Sequence, residues 1–201
     1  MAMCIIAAAG LFACKPSNAP EGPKYEYDVY VAGYEDKEKG SVAMLWKNGE
    51  ATDLNDDRYR TTAYSVFVSG SDVYVAGYDW RMDNRTVAIL WKNGKATGLT
   101  DGKNAAEAHS VFVSGRDVYV AGYEGQKAML WKNGEGTALT DGKNAAQALS
   151  VLVSGGDVYV AGFEGQKAIL WKNGKATGLT DGKVYASGRD RKSTRLNSSH
   201  W

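Results

Sequence analysis

The sequence predicts an all-β protein: a β-propeller of four-stranded antiparallel blades, with about four blades present and the natural chain truncated. Two recurring motifs predict this fold. Asp-Val-Tyr-Val-Ala-Gly begins at Asp28, Asp72, Asp117 and Asp157. Leu-Trp-Lys-Asn-Gly places its tryptophan at Trp46, Trp91, Trp131 and Trp171, with spacings of 45, 40 and 40 residues. A period near 40 residues is typical of propeller repeats.

Each complete unit contains four short runs with strand character. In the unit that begins at Ser110 they are Val111–Val113, Val118–Ala121, Ala128–Trp131 and Gly136–Leu139. β-branched and aromatic residues dominate the first two runs, and all are too short for helices. Asn133-Gly134 favours a type I′ hairpin turn between the third and fourth runs. Each unit is therefore predicted to be an antiparallel meander.

Such a meander is the blade of a propeller, in which neighbouring sheets bury each other's faces. A β-solenoid is the alternative, but its coils are usually shorter and lack Asn-Gly reversals. We expect the four repeated tryptophans to pack between blades, the alternative being one sugar site per blade. The repeated aspartates that open the first motif are expected to make turn hydrogen bonds.

Residues 1–14 are short, apolar and uncharged, and indicate a signal segment. Leu11-Phe12-Ala13-Cys14 resembles the lipobox of bacterial lipoproteins, which implies cleavage before Cys14 and acylation of its sulfur. A basic residue at the start is missing, which favours an initiator upstream. The alternative is a small apolar tail with a buried cysteine. Residues 15–24 contain all three prolines and are expected to form a linker.

The predicted propeller covers residues 25–190. Its first unit lacks a first strand of its own, so that blade is expected to borrow one from elsewhere. Residues 184–190 begin an irregular fifth repeat. Residues 191–201 resemble translated adapter sequence and are interpreted as non-native, the alternative being a natural polar tail. The natural protein is therefore expected to be longer, with more blades.

The motifs VYVAGY, LWKNG and LTDG together resemble those of bacterial propeller-like repeat lipoproteins of uncharacterised function. The resemblance covers residues 28–183. It implies a lipid-anchored protein of the bacterial cell envelope, on the outer-membrane, periplasmic or surface side. It implies no activity.

A candidate ligand surface lies at one end of the blades. In a meander the second-to-third loops and the connections between units share an end, and insertions in repeats often mark a binding face. These loops vary most in the first two units. The predicted binding residues are Trp80, Arg81, Arg85, Arg58, Tyr59 and Arg60. The alternative for Trp80 is an exposed aromatic residue without a partner.

Catalytic motifs are not found in the sequence. His109 stands where sister units carry Tyr64 and Leu149, and is interpreted as a tolerated strand residue. The repeated Asp-Gly pairs fit turns better than calcium loops. No cofactor, metal or nucleic-acid partner is expected, the last because the net charge is only +1.

The predicted function is a membrane-tethered binding or scaffolding module without catalysis. Its expected partners are a polymer, glycan or envelope protein, and the membrane through the lipid anchor. A carbohydrate-active enzyme on a propeller scaffold is the alternative.

Overall fold

A computed structural model describes residues 28–38, 40–54, 60–81 and 85–181, together with the backbone of Ile5–Ala7. These residues form strands and turns, and no helix among them could cross a membrane. The strands are β1 (Ile5–Ala7), β2 (Tyr30–Lys37), β3 (Gly40–Lys47), β4 (Glu50–Asp53), β5 (Thr61–Ser69), β6 (Asp72–Trp80), β7 (Thr86–Lys92), β8 (Lys95–Gly98), β9 (Ala106–Ser114), β10 (Asp117–Glu124), β11 (Lys127–Lys132), β12 (Glu135–Ala138), β13 (Ala146–Ser154), β14 (Asp157–Glu164), β15 (Lys167–Lys172) and β16 (Lys175–Gly178).

The described strands form four antiparallel four-stranded sheets, each ordered as in the sequence. The first strands of consecutive sheets contact each other, as β5 does with β9 and β9 with β13. Each fourth strand contacts mainly its own third strand. The sheets therefore converge at their first strands and diverge at their fourth, which is the arrangement of propeller blades. The predicted all-β propeller with about four blades is confirmed.

The first blade obtains its first strand from upstream. Strand β1 pairs antiparallel with β2, with Ile6 opposite Val31. Its three residues belong to the segment predicted to be a signal, so cleavage before Cys14 would leave β2 without this neighbour. Cys14, the predicted linker 15–24, the start of a fifth repeat and the tail 191–201 lie outside the described residues.

The Asn-Gly turns have the predicted backbone conformation. Asn48, Asn93, Asn133 and Asn173 have φ between 49° and 54°, and the glycines that follow have φ between 80° and 89°. Two successive positive φ values define the type I′ turn, whose twist matches that of the strands it joins.

A side-chain clamp joins the two hairpin turns at the end of each blade. In the third blade the Asp117 carboxylate accepts a hydrogen bond from Asn133 Nδ2 at 2.8 Å and pairs with Lys132 Nζ at 2.7 Å. Asn133 Oδ1 accepts from the Val118 amide at 2.9 Å, and Lys132 Nζ lies 5.4 Å from the Tyr119 ring centre. The same contacts recur in the other blades. The predicted turn role of these aspartates is confirmed.

Blades pack through two unlike faces. The face turned toward the preceding blade is bulky and carries the tryptophan. The opposite face carries two alanines at its centre with larger residues around them; we call the two the bulky face and the alanine face. Trp131 of the third blade packs in one core cluster with Ala76 and Ala88 of the second. Trp91, Trp131 and Trp171 are at most 2% exposed, which confirms their predicted packing between blades, whereas Trp46 of the first blade is only partly buried.

Replacing Asp117 with Asn is expected to reduce the loss of stability in acid. Hydrogen bonds from Lys132 and Asn133 lower the pKa of Asp117 below its ordinary 3.8. The ionised Asp117 therefore stabilises the fold at pH values above its unfolded-state pKa. This contribution to the free energy of unfolding is lost as the pH falls through the lower folded-state pKa. Urea unfolding at several pH values between about 5 and 2 measures it.

Glu135→Gln provides the control, because this exposed carboxylate lies in the same hairpin but outside the clamp. An Asp117→Asn variant whose stability falls with acid as steeply as that of the parent protein would contradict the clamp's role.

Candidate functional site

Connections between blades and second-to-third turns meet at one end of the molecule, which we call the rim. The Gly125 amide, in the turn after β10, donates to the Ala105 carbonyl at 2.8 Å. The Trp80 amide donates to the Arg60 carbonyl at 3.0 Å. These backbone bonds fix the loops in which the binding residues were predicted.

Two of the six predicted residues line one hollow. Arg60 and Trp80 surround a space of about 270 Å³ together with Gly40, Ser41 and Tyr78. The Arg60 amide donates to the Ser41 carbonyl at 2.8 Å, which joins the first blade to the second. Trp80 is 39% exposed. The hollow therefore presents an indole, a phenol and a guanidinium to solvent.

The other predicted residues are placed differently. Arg81 and Arg85 are exposed, and the Arg81 amide donates to the Arg85 carbonyl at 2.7 Å. The Arg81 guanidinium lies beside Gly102, in the connection to the third blade. Arg58 and Tyr59 lie outside the described residues. The structure thus brings Arg60 and Trp80 together, whereas Arg81 lies toward the contact between the second and third blades.

A second group of polar side chains lies where the second and third blades meet, and we call it the Glu107 cluster. It comprises Tyr64, Tyr78, Glu107, His109 and Tyr123. The Tyr64 ring centre lies 5.6 Å from that of Tyr78 and 5.5 Å from that of His109. The ring of His109 lies 5.7 Å from that of Tyr123. Tyr78 also lines the hollow of Arg60 and Trp80, so cluster and hollow share this side chain.

The carboxylate of Glu107 is the centre of this cluster. Tyr123 donates its hydroxyl to Oε1 at 2.9 Å, and Tyr64 donates to Oε2 at 3.2 Å. His109 Nε2 lies 3.4 Å from Oε2. Burial alone would raise the pKa of Glu107, but hydrogen bonds from His109, Tyr123 and Tyr64 outweigh burial and lower it. The carboxylate is therefore ionised at neutral pH.

Both phenols of the cluster are held neutral. Burial, together with the adjacent negative charge of Glu107, raises the pKa of the Tyr64 and Tyr123 hydroxyls above their ordinary range. The two phenols keep their protons and donate hydrogen bonds to the Glu107 carboxylate, which stays ionised.

His109 leaves one ring nitrogen unpaired. Its Nδ1 is buried and has no hydrogen-bond partner among the described residues. An unsatisfied buried polar atom costs about 1–3 kcal/mol. Buried polar atoms without a partner are rare in native structures, so this nitrogen marks the cluster as a candidate site.

A bulge in the first strand of the blade places His109. Ser110 pairs with Ala121 and Ala108 with Gly122, so that His109 has no opposite partner. A Cβ on Gly122 would lie 1.9 Å from the Glu107 carbonyl oxygen. The glycine of the Val-Tyr-Val-Ala-Gly motif therefore permits the close backbone approach that the bulge requires.

The repeat loses its symmetry at this cluster. Glu107 stands where sister blades carry Thr62 and Gln147, and His109 stands where they carry Tyr64 and Leu149. On sequence alone His109 was interpreted as a tolerated strand residue, and Glu107 was not selected. Aligning the units position by position would have found both, because neighbouring core positions scarcely change.

Another hollow, of about 740 Å³, lies beside the third blade. Its polar lining includes Glu124, Lys127 and Asp141, and its apolar part includes Met129. Gly136 also lines it, where sister blades carry Ala96 and Ala176. The hollow is open and continuous with the rim.

In the described ranges, no group of three or more His, Cys, Asp or Glu could hold a metal ion. In the Asp-Gly loops the aspartate carboxylate bonds within its own turn. Asp101 Oδ1 accepts from the Lys103 amide at 2.9 Å, and its other oxygen pairs with Lys103 Nζ at 2.6 Å. These aspartates act as turn residues.

No protein-family model matches the sequence, and no curated protein matches it. Solved structures do share its fold. A putative TolB from Agrobacterium tumefaciens superposes with a TM-score of 0.52 at 15% identity, over 75% of this chain and 61% of that chain. An acylaminoacyl peptidase from Pyrococcus horikoshii gives 0.47 at 18% identity, over 77% and 26%. A fucose lectin from Kordia zhangzhouensis, in complex with methyl-fucoside, gives 0.42 at 12% identity, over 56% and 90%.

The TolB likeness supports a β-propeller-like repeat fold. This chain spans 61% of the TolB chain and 26% of the peptidase chain. At these identities the likeness concerns the fold alone.

The double variant Glu107→Gln, His109→Leu is expected to be as stable as the parent protein or more stable. The fourth blade already carries Gln147 and Leu149 at these positions, so the repeat tolerates both residues. The change also removes the unpaired Nδ1, which costs about 1–3 kcal/mol. Urea unfolding measures the difference.

Val111→Ala is the positive control, because it shortens a side chain that is only 4% exposed and should cost about 1–3 kcal/mol. A double variant that loses as much stability as this control would show that the cluster serves the fold.

Proposed function

We propose that the protein is a non-catalytic, glycan-binding propeller of the bacterial cell envelope, tethered through a lipid on Cys14. The broken symmetry of the repeat at the rim is the observation that supports glycan binding. Glu107 and His109 depart from the repeat and meet Tyr64 and Tyr123, next to the hollow of Trp80.

Carbohydrate chemistry fits this surface. A sugar ring has apolar C–H faces that pack on aromatic rings, and hydroxyls that need both donors and acceptors. Trp80 and Tyr78 supply the rings, Arg60 supplies donors, and the ionised Glu107 supplies an acceptor. A few polar groups among aromatic residues are typical of small-molecule sites.

Binding of a glycan is expected to weaken when Trp80 or Glu107 is changed. A glycan array with the full chain identifies the ligand, and calorimetric titration measures its affinity. Trp80→Ala removes an aromatic contact worth about 0.5–1.5 kcal/mol, so affinity should fall by roughly 2- to 13-fold. Glu107→Gln keeps the shape and removes the charge.

Gln166→Ala is the matched control, because this exposed rim residue belongs to the regular fourth blade. No response on the array, or an affinity that both site variants leave unchanged, would refute glycan binding. A structural partner protein retrieved by pull-down would then favour the scaffolding role.

A carbohydrate-active enzyme is the second candidate. The observation that favours it is the Glu107–His109 pair, in which a carboxylate and an imidazole lie 3.4 Å apart. Such a pair is suited to proton transfer. A hydrolysis screen on the glycans bound in the array separates the two functions: turnover that Glu107→Gln abolishes favours the enzyme, and saturable binding without turnover favours the module.

The tether rests on the lipobox-like Leu11-Phe12-Ala13-Cys14 and the proline-containing segment after it. An acyl chain on Cys14 would hold the blades near a membrane, and a second signal or chain is needed for stable anchoring. An envelope location would give the rim access to envelope polymers.

Cys14→Ala is expected to abolish incorporation of radiolabelled fatty acid in a bacterial host. Cys4→Ala is the matched control and should keep the label, because Cys4 lies in the segment that cleavage removes. Label that persists in Cys14→Ala would refute the anchor. Cleavage would also remove β1, so amide exchange at Tyr30–Ala32 should be faster in the processed protein.

A further inference from the structure

Four exposed Asn-Gly pairs close the hairpins between the third and fourth strands of the blades. Their asparagines are Asn48, Asn93, Asn133 and Asn173, and each is exposed together with the glycine after it. Asparagine is a chemically labile residue, and a following glycine favours its deamidation because no side chain shields the glycine amide nitrogen. A Cβ on any of these four glycines would meet nothing within 4 Å. Neither burial nor bulk at the glycine therefore protects these turns.

Deamidation of such a pair takes place inside the turn and needs only water. In the third blade the Gly134 amide nitrogen would attack Cγ of Asn133, so that an N–Cγ bond forms and the Cγ–Nδ2 bond breaks. The Nδ2 group leaves as ammonia, taking up the proton that the Gly134 amide loses. Water then opens the succinimide ring and leaves either aspartate or isoaspartate. The net change replaces the NH2 group of Asn133 with OH, which ionises at neutral pH.

The clamp holds the reacting carboxamide by both of its polar atoms. Asn133 Nδ2 donates to Asp117 at 2.8 Å, and Asn133 Oδ1 accepts from the Val118 amide at 2.9 Å. The Asn133 amide also donates to the Val118 carbonyl at 2.8 Å, which holds its backbone against β10. Ring closure requires Cγ and the Gly134 nitrogen to be in contact and aligned, so the carboxamide must first leave these partners. The other three blades repeat all three bonds.

From this arrangement we propose that the four Asn-Gly turns are deamidation sites and that the clamp sets the rate of the reaction. An intact clamp keeps the carboxamide turned away from the glycine amide, and loss of the aspartate acceptor releases it. The modification in turn opens the clamp. At Asn133 a carboxylate replaces the group that donates to Asp117, so two like charges face each other. Isoaspartate also adds a methylene to the main chain of a turn that holds only two residues.

Peptide mapping of the full chain during incubation in mildly alkaline buffer tests the proposal. A protease that cuts after glutamate gives a different peptide for each of the four turns, and mass spectrometry follows the replacement of NH2 by OH in each peptide. The folded parent protein is expected to deamidate more slowly at all four turns than the same chain unfolded in guanidinium chloride. Asp117→Ala should speed deamidation at Asn133 by roughly 10-fold, because the carboxamide loses a hydrogen bond to a charged group.

The other three turns of the same variant are the matched controls. Asn48, Asn93 and Asn173 keep their own aspartate partners, so their rates should equal those of the parent protein. Lys132→Ala is a second control, because it removes the cation of the clamp and leaves the acceptor for Asn133 in place. It should speed deamidation at Asn133 less than Asp117→Ala does.

An unchanged rate at Asn133 in Asp117→Ala would overturn the proposal, and so would a folded parent protein that deamidates as fast as the unfolded chain. Circular dichroism shows whether Asp117→Ala is folded. If it is not, Asp117→Asn replaces it, since the introduced amide keeps a neutral acceptor, and the expected result is a smaller rise confined to Asn133. No rise at Asn133 in that variant, or an equal rise at all four turns, would overturn the proposal as well.

Discussion

The structure depends on the fit between a bulky face and an alanine face. A buried tryptophan contributes on the order of 4–6 kcal/mol of hydrophobic free energy when 150–250 Å² leave water, but only if the facing surface leaves room for it. Ala76 and Ala88 leave that room for Trp131. Larger residues there would force the sheets apart, because protein interiors have few voids to absorb extra volume. The alternation of large and small residues therefore sets both the spacing and the direction of stacking.

The same packing explains why the first strand carries a bulge. Near the centre of the molecule, the first strand contacts the first strands of the blades on either side, as β9 does with β5 and β13. Toward the rim it must also stay paired with the second strand of its own blade. Gly122 allows the backbones to approach, and the extra residue, His109, leaves the regular alternation. A bulge thus frees one position from regular packing in each of the second, third and fourth blades. In the second and third blades Tyr64 and His109 occupy this position and form the Glu107 cluster.

Strand order, type I′ turns, tryptophan packing and the rim were all predictable from the sequence, because each follows from a local pattern that the repeat states four times. Asn-Gly favours positive φ values in each hairpin, and the recurring tryptophan occupies the same buried environment in the second, third and fourth blades. The Glu107 cluster was not predicted, since its members come from two blades and meet only through the bulge and the stacking. Arg60 and Trp80 were selected as variable loop residues, but the sequence did not show that Tyr78 connects them to the cluster.

The distribution of symmetric and asymmetric residues separates stability from function. The clamp of Asp117, Lys132 and Asn133 recurs in every blade, and a buried tryptophan recurs at each of the three junctions between blades. These contacts stabilise each unit whatever the rim contains. The blades therefore tolerate one poorly satisfied group, the buried Nδ1 of His109, at a cost of about 1–3 kcal/mol. A repeat protein spreads its stability over similar junctions, so a single irregular junction can specialise while the others maintain the fold. The second and third blades form that junction. There Glu107 and His109 depart from the repeat and meet the phenols of Tyr64 and Tyr123.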